Sequence, residues 1–303
     1  MAAGVLIFSG GGKGTDTASG AVEAYLDALI KGDADRVMAL TKVNPPDKTF
    51  LTDEILKKQM EKYPITNIKI LGDVPVSNGN HMVHVIADFG GVPSDGKIRL
   101  TKPAEGQGWK LDGGITAVDV GGSSGTTSKE TLALVTIFGK PLPKTGKAYT
   151  FPGWIELGST NPNLKVINSR DGGPPSISSI NDGSSLVFPD VALSDEGKKA
   201  ITDQLNALGE KCTSSSEAAP AGCPAKVPDF YEARNVKWTG PPSIADEMDV
   251  SFDKSTGKVK FYGGVDFNAS FTGKYGPDTY NSILFLEGTV DITQNPPKVE
   301  LAK

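Results

Sequence analysis

Histidine and cysteine are scarce in this chain, which has two of each among 303 residues. Catalysis by serine or cysteine usually needs a neighbouring histidine as base, and a zinc site needs three or four ligands. Both histidines, His81 and His84, lie in one strand-like segment, where residues three apart point to opposite faces. The sequence therefore predicts no metal, no cofactor and no catalytic residues, which argues against the common hydrolase mechanisms.

Basic runs and long apolar runs are also missing. The formal net charge is −5, and without clustered Lys and Arg the chain has no surface suited to nucleic acid. The apolar stretch GVLIF at residues 4–8 is too short to span a bilayer, which takes about 20 residues, or to form a signal-peptide core. We interpret it as the last turn of a transmembrane helix upstream of the chain. The alternative is an expression remnant or a small apolar patch.

The two cysteines, Cys212 and Cys223, lie in the polar segment EKCTSSSEAAPAGCPAK. This segment offers no histidine or further cysteine for zinc, and it lacks the C-x-x-C spacing of redox motifs. Because the loop between the two residues is short and flexible, we predict a disulfide, worth about 3 kcal/mol on the chain-entropy model. Disulfides persist in oxidising compartments, so the pair indicates a protein that works outside the cytoplasm.

Residues 18–120 change from helical to strand-like periodicity. Apolar residues recur at helical spacing from Val22 to Ile30, Gly32 is placed to end that helix, and Thr52 is the expected N-cap of a later one. Alternating apolar residues then predict antiparallel strands, which gives an α+β module with helices packed on a sheet. The expected strands cover residues 67–76, 81–89, 97–101 and 109–118, with an Asn-Gly hairpin turn at 77–80.

The opening of this module, GAVEAYLDALIKGDADRVMAL, resembles the cystatin-like or NTF2-like domains of bacterial envelope proteins over residues 18–120. Folds of this kind often enclose an apolar cavity between the sheet and the helices. The resemblance therefore implies a possible pocket for a small ligand or lipid, lined by Tyr25, Phe89 and Trp109. The alternative is that these aromatic residues are ordinary core.

The second half of the chain is predicted to contain two more modules. VTIFGK followed by FPGWIEL resembles the PEGA-like β modules of surface proteins, within a β-rich stretch at 130–190. Residues 191–303 are expected to form another α+β module, with Ser194 as the N-cap of its helix and the Cys212–Cys223 loop after it. The whole chain resembles extracytoplasmic, membrane-anchored proteins of actinobacteria. The predicted multi-module α+β architecture is completed by a stub and linker at 1–17 and a linker at 121–129.

Five short motifs are interpreted as having no catalytic or binding role. GGGKGT at 10–15 lacks the Walker spacing, and Ser123 in GGSSG lacks the strand, the helix and the later histidine of a nucleophile elbow. LPKTG at 142–146 matches the sortase signal in five letters, but its mid-chain position favours a turn between paired strands. DEMD at 246–249 lacks EF-hand spacing, and the sequon at Asn268 is without meaning in a bacterial protein.

The disulfide, the apolar stub and the linkers favour a non-enzymatic extracytoplasmic domain of a single-pass bacterial membrane protein. Such a domain would act in cell-envelope binding, sensing or scaffolding, with an envelope component or another membrane protein as partner and no nucleic acid. Two alternatives stay open. One is a small-ligand or lipid-binding protein that uses the apolar pocket, and the other is a hydrolase that depends on carboxylates alone.

Overall fold

The structure is a computed structural model, and it describes residues 14–102, 104–120, 129–143, 145, 147–168, 173–292 and 296–302. Of the described residues, 25% are helical and 41% are in strands, and most strands pair antiparallel in several sheets. This composition confirms the predicted α+β class. The stretch at 4–8, most of GGGKGT and Ser123 lie outside the described residues.

The described helices are α1 (Ala18–Lys31), α2 (Ala34–Ala39), α3 (Asp53–Lys62), α4 (Lys129–Leu132), α5 (Ile177–Asn181) and α6 (Asp195–Thr213). The described strands are β1 (Ile65–Pro75), β2 (His81–Phe89), β3 (Val92–Thr101), β4 (Lys110–Leu111), β5 (Thr116–Val120), β6 (Val135–Ile137), β7 (Lys140–Pro141), β8 (Lys147–Thr150), β9 (Leu157–Ser159), β10 (Leu164–Asn168), β11 (Ser184–Val187), β12 (Pro189–Leu193), β13 (Arg234–Thr239), β14 (Asp249–Asp253), β15 (Lys258–Gly273), β16 (Gly276–Asp291) and β17 (Lys298–Leu301).

The chain divides into two compact units. Unit 1 consists of Met1–Ser124, Val135–Gly158 and Ile167–Asp190, and unit 2 consists of Gly125–Leu134, Ser159–Val166 and Val191–Lys303. The chain therefore passes from one unit to the other at five places, after residues 124, 134, 158, 166 and 190. This division differs from the predicted modules at 18–120, 130–190 and 191–303, whose independent folding stays a prediction.

The sequence predicts where α1 ends and where α3 begins, whereas α5 lies in a stretch that was predicted to be β-rich. The Thr52 side chain accepts a hydrogen bond from Ile55 N, which confirms it as the N-cap of α3. Gly32 follows α1 with φ 69°, a left-handed conformation in which glycine has no side-chain penalty. The sequence-based boundaries of α1 and α3 are thus correct to within about two residues, the usual uncertainty of such boundaries.

The larger sheet of unit 1 has the antiparallel order β1-β2-β3-β4. Every second residue of β2 from Val83 to Phe89 is buried, and α1 packs against β1 and β2. The turn between β1 and β2 has Asn78 at φ 60° and Gly79 at φ 72°, which confirms the predicted hairpin. The period of two thus marks the face of the sheet that the helices cover.

The segment predicted as one strand at 109–118 is two strands in two sheets, so that prediction is wrong. β4 pairs with β3, whereas β5 pairs with β8 and β11. The break falls at Gly114, which has φ 91°. A Cβ there would lie 2.8 Å from the Tyr25 ring, so only glycine fits at position 114.

The sheet β11-β5-β8 joins stretches that were predicted to belong to different modules. β5 comes from the predicted 18–120 module, and β8 and β11 come from the 130–190 module. Phe151, Ile177 and Ile180 of the later stretch are buried in the main core of unit 1. Shared strand pairing and a shared core explain why both stretches belong to one compact unit.

Unit 2 contains a five-stranded sheet and the helix α6. The sheet order is β13-β15-β16-β17, with β14 also paired to β15. β15 and β16 form a long hairpin that pairs from Val259↔Val290 to Gly273↔Gly276. The Ser194 hydroxyl accepts a hydrogen bond from Gly197 N at 2.9 Å, which confirms it as the N-cap of α6.

Cys212 and Cys223 form a disulfide, as predicted, with their Cα atoms 4.9 Å apart. Cys212 lies near the end of α6 and is buried. The bond is compatible with an oxidising compartment. The assignment to the extracytoplasmic face of a bacterial membrane stays a prediction.

Two other predictions concern membrane crossing and the LPKTG segment. None of the helices in the described part of the chain combines the length and the apolar composition of a bilayer crossing. Lys144 and Gly146 of LPKTG lie outside the described residues. The flanking strands β7 and β8 are both paired, as predicted, but β7 pairs with β6 and β8 pairs with β5, so the two belong to different sheets.

Candidate functional site

The aromatic residues predicted to line a pocket lie in or beside the main core of unit 1. Tyr25 is fully buried, its hydroxyl donates to Gly114 O at 3.0 Å, and burial raises the pKa of the phenol. Phe89 is buried, and the Trp109 ring packs 4.6 Å from that of His81. None of the three lines a cavity described below. The predicted apolar pocket stays a prediction that these cavities do not support.

The two histidines lie on opposite faces of β2, as predicted. His81 shares its face with the buried Val83, whereas His84 is on the other side. Each histidine has its own carboxylate: His81 Nδ1 lies 3.0 Å from Asp73, and His84 Nε2 lies 2.6 Å from Asp95. No group of three or more His, Cys, Asp or Glu within the described ranges is arranged to hold a metal ion.

A cavity of about 370 Å³ opens at one end of the sheet β11-β5-β8. Thr116 begins β5 and Thr150 ends β8, and these two residues lie directly opposite each other. On the same face, Val118 and Ala148 belong to a small apolar core. The cavity therefore lies next to this core. Six hydroxyl side chains among the described residues line the cavity: Thr116, Thr150, Ser176, Ser179, Ser184 and Ser185.

One wall of the cavity is the loop that follows β8, and α3 holds this wall in place. The buried Gln59 donates from Nε2 to Phe151 O at 3.0 Å and to Trp154 O at 2.9 Å. Gly153 lies between these carbonyls with φ 153°, and a Cβ there would approach Gln59 Nε2 to 3.2 Å. Trp154 therefore has a fixed backbone position, and its ring packs edge to face on Phe138.

The opposite wall is α5 and the residues that flank it. Asn181 anchors this helix to β3, since its Nδ2 donates to Lys97 O at 2.6 Å and its Oδ1 accepts from Arg99 N at 3.0 Å. A Cβ on Gly113 would meet Ile180 O at 2.1 Å, so the helix also packs closely on the loop before β5. Because of these contacts, Ser176, Ser179 and Asp182 are held at the cavity.

The hydroxyl groups at the cavity differ in whether they have hydrogen-bond partners. Thr116 Oγ1 donates to Asp182 O at 3.3 Å, and Ser179 Oγ accepts from Ser176 N at 3.1 Å. Thr150 Oγ1 is buried and has no hydrogen-bond partner among the described residues. Buried hydroxyls are nearly always paired in native proteins, so an orphan at a cavity needs an explanation.

Charge is limited at this site. Of the described lining residues, only Asp182 carries a charge at neutral pH, and none of them is His, Lys, Arg or Cys. The described lining therefore has hydroxyl groups but no histidine or lysine that could activate one of them as the nucleophile of acyl transfer. It offers hydroxyl groups that donate and accept, one carboxylate that accepts, and the flat apolar ring of Trp154.

A second region with exposed aromatic side chains lies at the tip of the β15–β16 hairpin in unit 2. A cavity of about 230 Å³ there is lined by Phe230, Tyr231, Lys274 and Tyr275, among others. The Phe230 and Tyr231 rings lie 4.4 Å apart, and Lys274 pairs with Glu232 at 2.9 Å. Among the described residues, no buried orphan polar atom lines this cavity, which sets it apart from the site in unit 1.

Comparison of the chain with family models, with curated proteins and with solved structures finds no match. The cystatin-like or NTF2-like, PEGA-like and actinobacterial resemblances therefore stay predictions. The function has to be inferred from the geometry and chemistry of the cavity beside Thr150.

Proposed function

We propose that this protein is a non-enzymatic binding protein of the bacterial cell envelope, and that the cavity beside Thr150 holds a small uncharged ligand rich in hydroxyl groups. A sugar unit of one or two rings has this chemistry. The cavity volume of about 370 Å³ lies within the range of about 300–1,000 Å³ that is usual for ligand sites. The proposed site thus lies at residues other than Tyr25, Phe89 and Trp109.

The buried Thr150 hydroxyl carries this proposal. A buried hydroxyl without a partner costs about 1–3 kcal/mol relative to one that is hydrogen-bonded. Thr150 lines the cavity, but its Oγ1 has almost no solvent-accessible surface, so we infer that a ligand hydroxyl removes this cost once the side chain turns toward the cavity. In this proposal the Thr150 hydroxyl gains its hydrogen-bond partner when a ligand occupies the cavity.

The other lining groups select the same class of ligand. Ser184 and Ser185 on β11 can each donate and accept hydrogen bonds, as the hydroxyls of a sugar do. The Asp182 carboxylate accepts hydrogen bonds and disfavours an anionic ligand. Trp154 supplies an apolar surface for the C–H groups of a sugar ring.

The disulfide Cys212–Cys223 supports the location of this binding activity outside the cytoplasm. In this proposal the chain is the extracytoplasmic part of a single-pass membrane protein. It binds a saccharide component of the envelope, and its role is binding, sensing or scaffolding rather than turnover.

The test is isothermal titration calorimetry of the purified protein with glucose, N-acetylglucosamine and their disaccharides. We expect saturable binding of at least one sugar, and we expect Thr150→Val to weaken it by at least about tenfold, the effect of losing a ligand hydrogen bond at a buried site. Thr41→Val is the matched control, because Thr41 is also buried but its hydroxyl donates to Met38 O away from the cavity. Absence of binding to every sugar would contradict the proposal, and turnover of a glycoside that Asp182→Asn abolishes would contradict its non-enzymatic part.

A further inference from the structure

One edge of β16 in unit 2 is open over most of its length. β16 pairs along one side with β15. On its other side β17 pairs only with Gly288–Asp291, and Ala302 N then donates to Glu287 O at 2.7 Å. Within the described ranges, no strand pairs with that side of β16 between Gly276 and Leu286.

From Thr279 to Leu286 this open edge lacks the features that keep sheet edges from pairing, whereas Pro277 and Asp278 lie at its end beside the hairpin turn. Natural edge strands are blunted by charged residues, proline, bulges or short length. The stretch TYNSILFL from Thr279 to Leu286 has no charged residue and no proline, and the β15–β16 register runs through it without a bulge. Ile283 and Phe285 are 75% and 70% exposed on one face beside the edge. An edge of this kind favours the addition of another strand.

We propose that the open edge of β16 pairs with the same edge of a second copy of this chain, antiparallel and about a two-fold axis. A two-fold interface brings the same stretch of each copy together, so both sides of the pairing have equal length. The inference does not rest on the ligand cavity of unit 1, since every residue that carries it belongs to unit 2.

The position of β17 sets the register of this pairing. Gly276, the first residue of β16 after the hairpin turn, has to pair before Glu287 of the other copy is reached, because the β17 segment covers the edge from Glu287 onward. The longest pairing that meets this condition places Gly276 of one copy opposite Leu286 of the other, and Asn281 opposite Asn281. Backbone pairing over this length supplies about eight hydrogen bonds across the edge, because Pro277 has no N–H to donate.

The side chains are compatible with the same register. Asp278, the one charged residue between Gly276 and Leu286, faces Leu284 of the other copy, so no like charges meet. On the exposed face, Ile283 of one copy lies beside Thr279 of the other, and Phe285 lies beside Pro277. These contacts remove part of the exposed apolar surface from water, which favours association.

Sedimentation velocity over a range of protein concentrations tests the proposal. We expect a reversible dimer, and we expect Phe285→Glu to raise its dissociation constant by at least about tenfold, because the change buries a charge at the contact. Leu71→Lys is the control, since Leu71 is also exposed and apolar but lies in unit 1. Circular dichroism establishes that each variant is folded. A chain that stays monomeric at all concentrations overturns the proposal, even if it binds extended peptides.

Cysteine cross-linking tests the register independently of affinity. The native cysteines are joined to each other, so Asn281→Cys introduces the one free thiol. Two such thiols face each other across the two-fold axis, and mild oxidation is expected to give a covalent dimer. Asn268→Cys is the matched control, because Asn268 lies directly opposite Asn281 but one strand further from the edge. Equal cross-linking of the two variants contradicts the proposed register.

Discussion

Thr116 and Thr150 lie directly opposite each other on neighbouring strands, yet within the described part of the chain only the Thr116 hydroxyl has a hydrogen-bond partner. Both side chains are buried and both line the same cavity. The pair therefore provides an internal comparison between a satisfied hydroxyl and an orphan one.

We expect the two valine substitutions at this pair to have different effects on stability. Thr116→Val removes the bond to Asp182 O and is expected to lower the free energy of unfolding by about 0.5–1.5 kcal/mol. Thr150→Val removes a buried group that has no partner, so it is expected to leave stability unchanged or raise it. Urea denaturation of the ligand-free proteins measures both values. A larger loss for Thr150→Val than for Thr116→Val would show that the Thr150 hydroxyl is satisfied in the free protein.

Gln59 is expected to be important for the cavity wall although it is not a lining residue. Gln59→Leu keeps an apolar stem of similar size but leaves Phe151 O and Trp154 O without their donor. Loss of one buried and one partly buried hydrogen bond is expected to cost about 1–3 kcal/mol and to weaken sugar binding. Gln107→Leu is a control, because Gln107 is an exposed glutamine elsewhere in unit 1. Hydrogen exchange of the amides at 151–155 should be faster in the Gln59 variant only, and unchanged exchange would contradict the role assigned to Gln59.

Ile177 connects the late stretch of unit 1 to its main core. The side chain is fully buried against Gly96 of β3, so Ile177→Ala is expected to lower the free energy of unfolding by about 2–5 kcal/mol. In a Trp238→Phe background, fluorescence reports on Trp109 and Trp154, which both belong to unit 1. Ile167→Ala, at an exposed position, is expected to change stability by less than about 0.5 kcal/mol. Equal effects of both substitutions would contradict the shared core.

The Cys212–Cys223 bond is expected to stabilise unit 2. Replacing both residues by serine removes a short covalent loop and is expected to lower the free energy of unfolding by about 3 kcal/mol. Thiol titration of the denatured, unreduced protein should find no free sulfhydryl group. Two reactive thiols per chain would contradict the bond and would weaken the argument for an oxidising compartment.

Local features of the fold were predictable from sequence because they depend on neighbouring residues. Thr52 and Ser194 cap helices through hydrogen bonds to amides three residues away, and Gly32 ends a helix through its own φ. The disulfide joins two residues that are close in the chain. β2 follows from the alternation of buried and exposed side chains, whereas β1 has an irregular burial pattern and the first half of β3, from Val92, was not predicted.

The candidate site was not predictable in this way. Thr116, Thr150 and Ser184 meet only because β5, β8 and β11 pair, and nothing in their local sequence specifies that pairing. Gly113 and Gly114 separate β4 from β5, but the apolar residues on either side of them keep the same alternation. The segment was therefore predicted as one strand. Whether a hydroxyl has a hydrogen-bond partner depends on its neighbours in space, and the hydrophobic pattern of the sequence does not show these neighbours.

The chain crosses five times between the two units, and this limits how recombination can transfer the units to another gene. Unit 1 is encoded in three separate stretches, and two short stretches of unit 2 lie between them. A recombination event with a single breakpoint inside this interval therefore cannot transfer either unit intact to another gene. An event of this kind transfers the two units either together or incomplete.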